Sequence, residues 1–276
     1  MSVLEAQYEL FQRSVKRRPA TELACEYAFR PAAQLVVLAL RPLRIAPPAV
    51  VLANAACGFG AAAAIARGHL VLGALLLQAK TVLDNADGQL ARATGRTSVL
   101  GRYLDSESDL LVNAAVFAAL GQATGRPFLA LAAFLVLTLV LSLDFNLERL
   151  YRRERGDERD PAPPARGLAG ALARVYALVY GTQDRAIEAF VERRLSRLGA
   201  GPQERLAYHD RAMLVVLANF GLSTQLAALG VCLAAGAPGV YCWIVIGCGL
   251  ALVPLFLRRE LRARATVHHR EVPSAE

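Results

Sequence analysis

Residues 69–124 read HLVLGALLLQAKTVLDNADGQLARATGRTSVLGRYLDSESDLLVNAAVFAALGQAT. Apolar runs lie at both ends, and between them stand four aspartates, Asp84, Asp87, Asp105 and Asp109. Asp84 and Asp87 are i, i+3 and Asp105 and Asp109 are i, i+4, so on helices each pair shares one face. Two such helices side by side make an acidic box. A helix that starts near His69 carries Asp84 roughly 22 Å along its axis at about 1.5 Å per residue. That is still at membrane depth, where ionisable groups face a cavity or the bundle interior and have a function. Like charges held about 4 Å apart repel by roughly 4 kcal/mol at an effective dielectric near 20, so the box needs a counterion. Hard oxygen ligands without a neighbouring His or Cys point to Mg²⁺ or Mn²⁺, sometimes Ca²⁺, and away from zinc or copper. Four carboxylates can hold a metal pair.

Working outward, 55 % of the 276 residues are hydrophobic and the mean hydropathy is positive, which moves the chain from the soluble to the membrane class. Apolar stretches occur at about 47–66, 69–83, 110–124, 127–147, 212–236 and 238–257. Most approach the roughly 20 residues that cross a hydrocarbon core as helix. The second and third look short because the carboxylate segments begin inside the same helices. The expected fold is all-α: a polytopic membrane protein of six transmembrane helices preceded by an interfacial amphipathic helix.

A net charge of +8 raises the question of nucleic acid. With six spans and the N-terminus inside, however, every Lys and Arg except Arg67 and Arg126 falls on one side. That is the positive-inside pattern, and it predicts both termini and the acidic motif at the cytoplasmic face of the cell (inner) membrane. Topology and anionic headgroups account for the charge, so no nucleic-acid partner is expected. Cys25, Cys57, Cys232, Cys242 and Cys248 have no C-x-x-C spacing and read as small buried hydrophobes. The first 20 residues are polar and end in Lys16, Arg17 and Arg18, without the pattern of a cleavable signal, so the first span is expected to direct its own insertion.

The expected organisation is a cytoplasmic N-terminal segment with the interfacial helix (1–46), a catalytic six-helix domain (47–257) with a cytoplasmic insertion (149–211), and a cytoplasmic tail (258–276). Tyr27 to Leu43 alternates apolar runs with Arg30 and Arg41, as a helix on the membrane surface would, although a helix packed on the protein gives the same pattern. Pro47-Pro48 ends it and starts the first span. Ala53, Ala55, Ala56, Gly58, Gly60 and Ala61 to Ala64 make that span a small-residue face suited to the centre of a bundle. The stretch around Ala234 to Gly239 turns the fifth span into the sixth as a helical hairpin. In the insertion, Pro161, Pro163 and Pro164 read as linker, followed by helix over about 167–198 with Leu168, Leu172, Val175, Val179 and Ile187 on one stripe. A structural or lid role is expected of it.

The full register is D-x-x-D-G-x-x-A-R, eight residues, then G-x-x-x-D-x-x-x-D: Asp84, Asp87, Gly88, Ala91, Arg92, Gly101, Asp105, Asp109. It resembles the signature of the CDP-alcohol phosphotransferase (CDP-alcohol phosphatidyltransferase) family, and the resemblance extends more loosely over roughly 28–147 and, by span count, to the last hairpin. The resemblance implies six-helix homodimers with an interfacial helix. It implies that Asp84, Asp87, Asp105 and Asp109 hold two divalent ions, Mg²⁺ or Mn²⁺, and that Asp109 is also the catalytic general base. Gly88 and Arg92 would contact the CDP moiety, as would Ser98 on a looser match. Chemistry agrees: metals neutralise a pyrophosphate and polarise the phosphorus, and an arginine forks onto phosphate oxygens. The donor expected is CDP-diacylglycerol or another CDP-alcohol, the acceptor a small alcohol or alcohol phosphate, and the leaving group CMP. A site at membrane depth suits a donor whose acyl chains stay in the bilayer.

Gly101 reads more as a packing glycine than as a ligand, while Arg96 and Arg102 could contact phosphate or simply face solvent or lipid. The chain departs from the family where Pro47-Pro48 and Val51 stand in place of a common Pro-Asn and Thr, and in the length of the insertion. Asp144, Asn146, Glu148, Arg149, Asn219, Ser223, Thr224 and Gln225 are candidates for acceptor binding or for ordinary interhelical bonds. His268 and His269 read as exposed tail residues. Two other readings compete: a water-soluble CDP-alcohol donor or lipid acceptor, and a non-catalytic ion or proton transporter. The transporter would explain the acidity but not Gly88, Arg92 and the fixed gap.

Overall fold

The computed structural model describes residues 9, 11, 12, 14, 15, 18–157 and 167–271, the last six of them by backbone alone. The chain is all-α, and it is a polytopic membrane protein as expected. A π-helical turn, Cys25–Phe29, runs into α1 (Arg30–Leu40). Then follow α2 (Pro47–Ala66), α3 (Leu70–Ala93), α4 (Val99–Thr124) and α5 (Pro127–Glu154). The insertion folds as α6 (Gly167–Val179), α7 (Gly181–Arg197) and α8 (Pro202–Tyr208). The chain closes with α9 (Arg211–Asn219), α10 (Leu222–Ala234) and α11 (Pro238–Glu271).

Among the described residues, four segments are long and apolar enough to cross a membrane: Pro47–Ala66, Pro127–Glu154, Pro202–Ala234 and Pro238–Ala265. α3 and α4 are as long, at 24 and 26 residues, but their inner halves carry the aspartates and arginines. Leu131, Leu135 and Leu139 on α5 and Trp243, Leu250, Val253 and Leu257 on α11 are each half or more exposed. An outward apolar belt of this size suits a lipid surround and would be an aggregation site in water.

α2 is the central rod, packed against both α3 and α4. At Gly58 an added Cβ would lie 2.3 Å from Val112 Cγ1, so the small face does bring α2 onto α4. The main core joins Ile65, Leu77, Val116, Phe117, Leu120, Leu229, Leu233 and Tyr241. A second cluster packs α5, α7, α9 and α11 through Leu147, Leu150, Leu195, Leu217 and Leu252. α1 lies on α3, with Ala33 and Val37 against Ala86 and Leu90, and leaves Leu35 outside at 70 % exposure. Of the five free cysteines, Cys25, Cys232 and Cys242 are buried and Cys57 and Cys248 half-buried.

Three expected boundaries shift. The fifth span is broken: α9 ends at Asn219 and α10 starts after Gly221. Glu22 caps the new start, accepting from the Thr224 N–H at 2.8 Å and its hydroxyl at 3.0 Å. The helix expected over 167–198 is two helices meeting at Tyr180, and the expected stripe does not hold. Val175 is 44 % exposed, Tyr176 and Tyr180 pack in its place, and Ile187 is buried on the next helix. The last helix runs 14 residues past Leu257, into what was expected as tail. Pro161, Pro163, Pro164 and the side chains of Leu168, His268 and His269 lie outside the described residues.

Candidate functional site

α3 brings Lys80, Asp84 and Asp87 to one side at i, i+4 and i+7, and α4 presents Asp105 and Asp109 opposite. The turn between them needs Gly95 in the left-handed region, at φ +65°. Ser98 then caps α4, its hydroxyl accepting from the Gly101 N–H at 3.0 Å. Together these fix the phase of α4 against α3. Carboxylate oxygens of Asp84, Asp105 and Asp109 all lie within 4.8 Å of one another. Asp87 stands outside that trio and is buried at 6 % exposure.

Within the box, two carboxylate oxygens are buried without a hydrogen-bond partner among the described residues, Oδ1 of Asp105 and Oδ2 of Asp87. Such groups cost free energy unless something satisfies them, and a cation does so directly. The donor set is all oxygen, so the trio and Asp87 fit a hard divalent ion. Asp84 and Asp109 keep 24 % and 20 % of their side-chain surface, so the box is reachable from outside the bundle.

Two partners were not singled out from the sequence. Lys80 is fully buried, with Nζ 2.6 Å from Asp109 Oδ1 and 3.6 Å from Asp84 Oδ1. Its signal was its place, a lone lysine one turn before Asp84 in an apolar run. Asn54 of α2 donates from Nδ2 to Asp84 Oδ1 at 3.0 Å. It was the one amide in a helix of small residues, and it stands on the span that departs from the family pattern.

The residues expected at the nucleotide divide. Gly88 leaves a space that the Arg92 guanidinium covers, 3.2 Å from where a Cβ would be. Arg92 Nε also donates to the main-chain oxygen of Ser14. Gly88 and Arg92 therefore stand together beside the box, while Ser98 is exposed and engaged as a cap. At Gly101 an added Cβ would meet, among the described residues, only the Ser98 hydroxyl, at 3.1 Å. Arg96 and Arg102 are exposed, and Arg102 lies over the Tyr103 ring.

The insertion lies beside the same turn of α4. Tyr176 stacks on Tyr103 and Tyr180 with centroids at 5.4 and 4.9 Å, and the Tyr180 hydroxyl donates to the Ser106 carbonyl at 3.5 Å. Burial pushes the Tyr176 phenol up to about 12, so it stays a neutral donor at physiological pH. The acceptor candidates are mostly occupied within the fold. Asp144 and Glu148 hold Arg18, Asn146 holds Asp184, Asn219 holds Thr21 and Leu23, and Thr224 holds Glu22.

A family model described as CDP-alcohol phosphatidyltransferase matches residues 44–189, which contain the whole box. A curated relative, the bifunctional IPC transferase and DIPP synthase of Thermococcus kodakarensis (strain ATCC BAA-918 / JCM 12380 / KOD1), is 36 % identical over 102 residues. That overlap is 37 % of this chain and 24 % of the relative's length. No solved structure matches the chain.

Proposed function

The chain belongs to the CDP-alcohol phosphatidyltransferase family, and we propose that it moves the phosphatidyl group of CDP-diacylglycerol to a small alcohol or alcohol phosphate, releasing CMP. The observation that carries this is the convergence of Asp84, Asp105 and Asp109 within 4.8 Å, the first and the last two aspartates of the family's sequence pattern. Asp84, Asp87, Asp105 and Asp109 would hold Mg²⁺ or Mn²⁺. The ion's part is to neutralise the pyrophosphate and polarise the phosphorus under attack.

The chain's own residues do the rest. Arg92, over the open face of Gly88, turns from the Ser14 carbonyl to the donor's phosphate oxygens, and Ser98 lies near the nucleotide. Asp109 takes the proton as the acceptor hydroxyl forms its bond to phosphorus and the bond to CMP breaks. The aromatic patch of Tyr103, Tyr176 and Tyr180 walls the box on the side of the insertion and shapes the acceptor pocket. Residues 47–257 form the catalytic six-span domain, with α3 and α4 counted as spans. The arginine distribution supports a reading with both termini and the site at the cytoplasmic side of the cell membrane. The homodimer is carried from the family.

A second donor class stays in view, a CDP-alcohol without acyl chains, and the partial similarity to a bifunctional IPC transferase and DIPP synthase leaves the donor open. The test is CMP release by purified protein in detergent micelles with Mg²⁺ or Mn²⁺. Donors with and without acyl chains are crossed with a panel of alcohols and alcohol phosphates. Acceptor-stimulated CMP release from CDP-diacylglycerol, lost in Asp109→Asn with the fold intact, is the expected result. Release only from donors without acyl chains would move the chain to the second class. Full turnover by Asp109→Asn would remove Asp109 from the base role.

A further inference from the structure

The box contains a cation of its own. Lys80 is buried at 0 % exposure and places Nζ on two of the three converging carboxylates, at 2.6 Å from Asp109 and 3.6 Å from Asp84. A long, flexible ammonium is costly to bury, and it is kept there only by close opposite charge. We propose that Lys80 is a positioning residue of the metal box: it holds Asp84 and Asp109 together before any substrate arrives and limits how strongly the box takes divalent ions on its own. The inference rests on the metal-dependent transferase reading above.

Charge balance gives the reason. With Lys80 in place, a first divalent ion brings the four aspartates close to neutrality, and a second overshoots it until a donor arrives with its negative pyrophosphate. Without Lys80, two divalent ions balance the four aspartates with no donor present. The ammonium also occupies Oδ1 of Asp109 and reaches Oδ1 of Asp84, oxygens that a divalent ion would otherwise take. Full occupancy is thereby tied to the nucleotide. The orphaned oxygens of Asp105 and Asp87, which Lys80 does not reach, are left for the first ion.

The test is a Mn²⁺ titration of the full chain in detergent micelles without nucleotide, read by the electron paramagnetic resonance of free Mn²⁺. Thermal unfolding with and without EDTA accompanies it. Lys80→Met removes the charge at similar length, and Lys80→Arg keeps it. Lys80→Met should bind Mn²⁺ at least about tenfold more tightly and gain a second equivalent, because a positive charge within a few ångströms of the ion is gone. Its melting temperature should fall in EDTA and rise more than wild type on adding Mn²⁺. Lys80→Arg should stay within about threefold of wild type. A merely structural lysine would change the melting temperature and leave Mn²⁺ affinity alone. If Lys80→Met does not fold, Lys80→Gln is read the same way. Wild type that binds Mn²⁺ with the variant unchanged overturns the role of Lys80 alone. Wild type that binds no Mn²⁺ overturns the metal box itself.

Discussion

Gly58→Ala should damage both stability and transfer, although Gly58 touches no aspartate. An added Cβ would lie 2.3 Å from Cγ1, 2.9 Å from Cγ2 and 3.2 Å from Cβ of Val112, whereas ordinary contact begins at 3.4 Å. Val112 is fully buried and β-branched, so turning away would take it out of the one χ1 rotamer that a helix favours. The remaining relief is for α2 and α4 to part by roughly 1 Å, and overpacking of this kind costs about 1–3 kcal/mol. Val112 is three residues beyond Asp109, and Gly58 is one turn beyond Asn54, which holds Asp84. Parting the helices there opens the box between Asp84 and Asp109. A misplacement of about 1 Å costs on the order of 100-fold in rate. CMP release and thermal unfolding of Gly58→Ala are the assays, with Gly58→Ala/Val112→Ala as the relief, since that change removes the two closest atoms. Wild-type turnover in the single variant, or a double variant no better than the single, would refute the coupling of this helix contact to the site.

Arg18→Ala should lower the melting temperature by several degrees. Its guanidinium pairs with Asp144 at 2.5 Å and Glu148 at 2.7 Å, with 20 %, 12 % and 13 % of the three side chains exposed, and removing one partner of a buried pair costs up to about 3–5 kcal/mol. Adding Asp144→Asn and Glu148→Gln should recover much of the loss in the same unfolding assay, and no recovery would argue against a charge effect. Burial raises Glu22 above the ordinary carboxylate value of 4.5. The folded state therefore holds the proton more tightly than the unfolded one, and stability falls as pH rises from about that value through the folded one. Glu22→Gln should flatten this fall, so that its melting temperature exceeds wild type by more at pH 7.5 than at pH 5. An equal difference at both would exclude the titration of Glu22.

The aspartate register was legible because two physical rules coincide there: helical spacing puts carboxylates on one face, and depth in the membrane makes an idle carboxylate costly. Long apolar helices and the small-residue face of α2 were legible for similar reasons, since composition alone sets what lipid and close packing accept. What the sequence hid is tertiary. Asn219 and Gly221 are only weak local signals of a break inside an apolar run. The break is stabilised from nearly 200 residues away, where Glu22 caps α10 and Thr21 and Leu23 bond Asn219. The split at Tyr180 has the same character, with α6 turned so that Tyr176 meets Tyr103 rather than laying its aliphatic stripe inward. Lys80 was visible as a charge but was counted toward topology, because its partner Asp109 lies on another helix.

The residues from Ser14 to Cys25 give these hidden contacts a common direction. Ser14 takes Arg92 of α3, Arg18 takes Asp144 and Glu148 of α5, Leu23 takes Asn219 of α9, Glu22 takes Thr224 of α10, and Cys25 donates to Asn85 at 3.1 Å. One short segment thus ties α3, α5, α9 and α10 together at the end of the bundle where the box opens. Its contact at Arg92 differs in kind from the others. A neutral carbonyl holds a guanidinium that an anionic phosphate, with opposite charge and two oxygens for its fork, would hold more strongly. On the function proposed above, a donor phosphate would take Arg92 from Ser14 while the ion pair at Arg18 and the cap at Glu22 stay in place. The segment can stay anchored on α5 and α10 while its first contact, at the site, changes partner.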